Sequence, residues 1–176
     1  TATLILDKCG DGVLDELTAS GEGEDINVVR LALTQRALDV RRPPAGRAAD
    51  AYQVLPWLLQ HGENESAAEM LELIEDLAHR GIQRAEFEQL LSEPTNLSPA
   101  WDDDRALGAR IRLLEAEGNL AAATEQLESY CYQILASNDS HALDLADVAL
   151  GSIDSYGPPG RDAAERLRGI IDARIA

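Results

Sequence analysis

Lysine is almost missing from this 176-residue chain: Lys8 is the single example, and the other 14 of its 15 basic residues are arginines. That choice points to the codon usage of a GC-rich bacterial genome. Cysteine is scarce too, with only Cys9 and Cys131, far apart and without a CxxC or CxxH neighbour. Neither a disulfide framework nor a zinc site is indicated, and the expectation is two buried, reduced thiols in a cytoplasmic protein, with a disulfide between them as the alternative. Aromatic residues make up 4% of the chain. Phe87, Trp57, Trp101, Tyr130 and Tyr132 are too scattered for a base-stacking platform and read as core fillers. No apolar run reaches the roughly 20 residues of a membrane span, and "TATLILDKCG" lacks the basic start and long apolar centre of a signal peptide. The first residue is Thr1 rather than methionine, which fits a fragment or a processed chain.

Positive charge is also in short supply. Fifteen basic residues stand against 32 acids, a formal net charge of −17. A surface of that sign repels phosphate backbones and anionic headgroups, so nucleic acid and membranes are discounted as partners. The length suits one all-helical domain, residues 1–176, with a candidate internal seam at 92–102, where "SEPTNLSPAWDDD" is the longest irregular stretch.

What the chain has in abundance is helical periodicity. Ile26, Val29, Leu33, Ala37 and Val40 recur at steps of three and four from Asp25 to Val40. "RRPPAGR" at 41–47 stops that helix, and a second is expected from about Ala48 to His61 with a kink at Pro56. A third follows Gly62, capped by Asn64 or Ser66 and buried along Ala67, Leu71, Ile74 and Leu77 or Ala78, ending near Gly81. Further helices are expected at Gln83–Leu91, Asp103–Glu117, Leu120–Ala136, Ser140–Tyr156 and Arg161–Ile175. The sequons at Asn64, Asn96 and Asn138 read as caps and loops, not glycosylation sites.

The stretch "RALGARIRLLEAEGNLAAATEQLESYCYQI" resembles a tetratricopeptide repeat, a two-helix unit of about 34 residues. Gly118 falls at the inter-helix turn, Ala123 at the small position that lets the helices pack closely, and Leu114 and Leu127 at large apolar positions. Arg110 and Ile111 replace the family's leucine-glycine pair, Tyr130 replaces a later small residue, and no proline closes the repeat. Gly62 with Ala67 repeats the turn logic, and Gly157 with Ala163 or Ala164 does so more loosely. The turn glycines are 56 and 39 residues apart, so any array is degenerate. The resemblance implies an all-α fold of antiparallel helical hairpins stacked as a short superhelical array, with a concave surface for peptides or partner proteins. The alternative is an irregular helical bundle.

Motifs of catalysis are not evident: there is no GxSxG, GxxxxGK[ST], GxGxxG or HExxH. His61 and His79 lie near helix ends, where they would satisfy carbonyl groups. Asp76 and His79 have the spacing of a helical di-iron half-site, but His141 lacks the matching acid, and Asp76 is better placed to pair with Arg80. No cofactor is therefore expected. "DKCGDGVLDELT" at 7–18 has the outline of an EF-hand loop, yet Cys9 and Thr18 stand where hard oxygen ligands are required. It reads as a turn before a helix.

Two charge clusters remain as candidate partner-binding residues. Glu65, Glu69, Glu72 and Asp76 climb one helix face, either a solvated face or a docking surface for a basic partner. Arg30, Arg36, Arg41, Arg42 and Arg47 stand against only Asp39 and Asp50 in residues 29–50, a local net of 5 − 2 = +3. That island either neutralises the chain's own carboxylates or grips an acidic ligand or protein. The expected function is a non-catalytic interaction module for a peptide, a partner protein or a second copy of the chain. The alternative is an acidic inhibitor or immunity-type protein that masks a basic surface of an enzyme.

Overall fold

The computed structural model describes residues 23–92, 97–137 and 140–175, and all regular structure within them is helical. The helices are α1 (Gly23–Leu38), α2 (Pro44–Gln60), α3 (Asn64–His79), α4 (Arg84–Ser92), α5 (Asp103–Ala116), α6 (Leu120–Ala136), α7 (Ala142–Ser155) and α8 (Arg161–Ile175). The segment at 7–18, Cys9, Asn96 and Asn138 lie outside the described residues.

The chain divides into two compact units, Thr1–Ala106 and Leu107–Ala176, with the division inside α5 and beyond the irregular stretch at 92–102. In the first unit α1 packs on α2, α2 on α3 and α3 on α4. Periodicity explains which faces they bury. Val29, Leu33 and Ala37 of α1, Val54, Leu55 and Leu58 of α2, and Ala67, Met70, Leu71, Ile74 and Leu77 of α3 are all essentially inaccessible. Burying each valine, leucine, isoleucine or methionine of these stripes is worth roughly 1.5–3 kcal/mol, so the stripes dominate the energetics of the unit. Phe87 of α4 is wholly buried and meets Trp101 edge-on, ring centroids 6.3 Å apart.

In the second unit α6 packs on α7, and α8 packs on both. Its core is built from Ile111, Leu127, Cys131, Ile153 and Leu167, with Ala146, Ala163 and Ala164 allowing close approach between helices.

The turns follow from glycine. Gly62 has φ +71° and Gly118 also has φ +71°, a backbone region that side chains with a Cβ rarely enter. Each closes its helix in the same way. The amide of Glu63 donates to the carbonyl of Leu58, and that of Asn119 to Leu114, capping carbonyls the helix leaves open.

Some boundaries differ from expectation. α2 starts at Pro44, not near Ala48, because proline lacks an N–H that the first helical position does not use and its φ already suits a helix. α3 has Glu63 at its N-cap without a side-chain cap bond, so neither Asn64 nor Ser66 plays that part. α1 ends at Leu38, which leaves Val40 in the turn and 78% exposed rather than in the core. Tyr132, expected in the core, is also exposed.

Candidate interaction surface

The turn from α1 to α2 organises the arginine island. Asp39, the first residue after α1, accepts a hydrogen bond from the backbone amide of Arg41 at 3.1 Å and grips the Arg41 guanidinium at two points, 2.8 and 2.9 Å. These bonds from Arg41 lower the Asp39 carboxyl to about 2. Arg41 sits in solvent, its side chain 86% exposed, so the pair adds little stability; what it does is bias the direction of Arg41.

Asp50 plays the equivalent part from α2. Its side chain is buried, and its Oδ2 accepts from Arg36 Nε at 3.1 Å and from Arg42 NH1. One carboxylate thus orders two guanidiniums from opposite sides of the turn. Arg47 donates through Nε to the carbonyl of Ala37 at 2.8 Å, satisfying an open carbonyl at the end of α1. The two acids of the island are therefore the partners of its arginines.

Above this layer lies an open cleft of about 710 Å³, lined by Gln35, Arg36, Leu38, Asp39, Arg41 and Arg42. Two large apolar side chains stand exposed on the same helix, Val28 at 45% and Leu31 at 51%.

Arg30 is elsewhere. Its NH1 bonds Glu63 at 2.9 Å, and its guanidinium lies 5.1 Å from the centre of the Trp57 ring. Trp57 in turn stacks with His61 at a centroid distance of 4.0 Å, and His61 Nδ1 lies 2.9 Å from the Trp57 carbonyl, the helix-end bond its position implied. A smaller cleft of about 440 Å³ borders this group and includes Glu65.

Of the acidic residues, Glu65, Glu69, Glu72 and Asp76 are all exposed on α3. Asp76 pairs with Arg80 at 2.8 Å and Glu72 approaches Arg105 at 3.9 Å, whereas Glu65 and Glu69 pair with no base among the described residues. Arg105 is held mainly by buried Glu75, at 3.1 Å, and stacks over Trp101. The structure thus groups Arg36, Arg41 and Arg42, sets Arg30 apart with Trp57, and places Glu65, Glu69 and Glu72 on another helix.

Sequence reasoning missed Asp50 and Glu75 as organisers. Asp50 meets arginines 14 and 8 residues earlier and Glu75 meets one 30 residues later, separations that leave no periodic trace. The stack of Trp57 on His61 is different: an aromatic pair at i,i+4 on a helix is readable in advance.

In the second unit Glu128 of α6 holds Arg166 of α8 at two points, 2.8 and 2.9 Å, and accepts from the Tyr132 hydroxyl at 3.0 Å. The bonds from Arg166 push the Glu128 carboxyl below its ordinary range. Cys131 is a free, buried thiol, raised by burial to about 11. Among the described residues no three His, Cys, Asp or Glu side chains group as a metal site would require, and no helix is long and apolar enough to cross a membrane. Comparison with known protein families, curated proteins and solved structures finds no match for the chain.

Proposed function

We propose that the chain is a non-catalytic protein-interaction module of a cytoplasmic protein, holding a peptide or partner protein against the outer surface of its helical hairpins. The observation that carries this reading is on α1. Val28 and Leu31 remain half-exposed on α1, the helix whose C-terminal part lines a cleft with arginines hydrogen-bonded to Asp39 and Asp50. Exposed apolar side chains beside oriented charges are what a docking surface offers: area to bury and polar groups that set register. A degenerate tetratricopeptide-like stacking is the arrangement we favour. Ala67 and Ala123, each five residues after a turn glycine, are wholly buried, as that family's close helix packing demands.

Affinity purification of the tagged full chain from its source cell, followed by mass spectrometry, tests the reading. A stoichiometric partner that is retained by the wild type and lost with Leu31→Asp is the expected result. Recovery of no partner counts against it.

One observation favours the inhibitor reading. Glu65 and Glu69 stand exposed on α3 without a base to neutralise them among the described residues, the arrangement an acidic mask for a basic enzyme surface would use. Steep loss of the recovered partner with added salt, undone by Glu65→Gln with Glu69→Gln rather than by Leu31→Asp, would select this alternative.

A further inference from the structure

We infer that the α1 face of the first unit docks an acidic, amphipathic peptide segment of a partner protein. The inference rests on the interaction-module reading and names the chemistry of the partner. Carboxylates of the segment sit on the cleft arginines, and its apolar side chains cover Val28 and Leu31.

The face is continuous. Positions 28, 31, 35 and 38 follow one another at steps of three, four and three, so they line one side of α1. Val28 and Leu31 form its exposed apolar half, while Gln35 and Leu38 belong to the lining of the cleft. A ligand lying along α1 therefore meets an apolar stripe first and guanidiniums second.

Charge decides the sign of the ligand. With Arg30 turned to Glu63 and Arg47 to the Ala37 carbonyl, the cleft keeps Arg36, Arg41 and Arg42 against Asp39 and Asp50, a net of 3 − 2 = +1, so the remainder of the chain carries −17 − 1 = −18. An acidic segment is repelled by nearly all of this molecule and attracted at this island, which gives both steering and register. A basic segment has many other places to go.

Preorganisation makes the arginines effective. Asp39 occupies two donors of Arg41, one on Nε and one on NH2, and a guanidinium has five. The rest point into solvent, on a side chain whose direction the Asp39 bonds already bias. Arg42 is anchored from below by buried Asp50. A nucleic acid would find the same charges, but its phosphates offer nothing to Val28 and Leu31, and a long polyanion would run onto the acidic remainder.

The test is fluorescence anisotropy with the full chain and a labelled synthetic peptide carrying Asp and Leu at helical spacing. Control peptides replace Asp with Asn, Asp with Lys, or Leu with Ser, and a single-stranded oligonucleotide completes the set. The Asp-Leu peptide is expected to bind, and each control to bind at least about fivefold more weakly, the scale of one well-made charge or apolar contact. Arg41→Glu and Leu31→Ser should each weaken the Asp-Leu peptide by a similar factor. Both side chains are exposed, so circular dichroism should remain that of the parent. Binding that ignores Arg41→Glu, or an oligonucleotide that binds as well as the peptide, overturns the inference. If the Lys-Leu or Asn-Leu peptide binds better and Leu31→Ser weakens it, the acidic assignment falls and the interaction module stands. If no peptide binds and no partner is recovered from the cell, both fall.

Discussion

Arg36 Nε hydrogen-bonds Asp50 Oδ2 at 3.1 Å, and the carboxylate that receives it is buried on α2 while the arginine belongs to α1. Arg42 bonds the same oxygen, so Asp50 joins the first two helices and the turn between them. Asp50→Ala should destabilise the chain by about 2–4 kcal/mol, because it removes the buried carboxylate that two half-buried guanidiniums share. Asp50→Asn, which keeps the size and an acceptor oxygen, should cost less. Urea unfolding followed by circular dichroism measures both, and equal midpoints for Asp50→Ala and the parent would rule out this role.

Two glycines of the second unit should respond oppositely to alanine. At Gly160 a Cβ would overlap the carbonyl oxygen of Ile153, a backbone atom that cannot swing aside. Gly160→Ala should therefore cost about 1–3 kcal/mol or more. Gly151, exposed inside α7, has nothing within 4 Å of where a Cβ would go. Gly151→Ala should add about 0.5–1 kcal/mol by restoring helix propensity. Thermal unfolding of the two variants side by side checks the contrast.

Cys131 should be nearly inert to alkylation in the folded chain. Burial raises its thiol from 9.0 to about 11, so the thiolate fraction at pH 8 falls about a hundredfold before access is considered. In a Cys9→Ser background, iodoacetamide labelling should be slow in buffer and rapid in urea. Fast labelling of the native protein would mean that the α6–α8 core opens readily.

The bond between Glu128 and Arg166 should make the second unit acid-sensitive. The Glu128 carboxyl is held below its ordinary value of 4.5 in the folded state by the Arg166 bonds. An acid whose pKa is lower when folded stabilises the fold above its unfolded value, and the contribution fades as pH falls through the folded one. The parent should therefore melt higher than Glu128→Gln at pH 7, with the gap closing below about pH 4.5. A gap that stays constant down to pH 3 would contradict the linkage.

Legibility in the sequence varied with the range of the interaction. Leu120–Ala136 and Arg161–Ile175 are found at the bounds their spacing implied, since steps of three and four and a following turn are local properties. The pairing of Asp76 with Arg80 was readable for the same reason. Val40 fits the apolar period of α1 as well as Ala37 does, yet it lies in solvent because the turn before Pro43 and Pro44 takes the chain out of the helix first. Periodicity states which face a residue would occupy; it does not state where the helix stops.

The candidate surface divides along the same line. The excess of arginine in residues 29–50 and the −17 charge are matters of composition, and the all-helical character of the described residues and the turn positions of Gly62 and Gly118 follow from local residue order. That Arg36, Arg41 and Arg42 share a cleft while Arg30 turns away to Trp57 was decided by packing. Composition counts charges without directions. Only when α2 lies against α1 does Asp50 reach Arg36 and Arg42, and that buried carboxylate converts part of a local excess of charge into guanidiniums held in place at a surface.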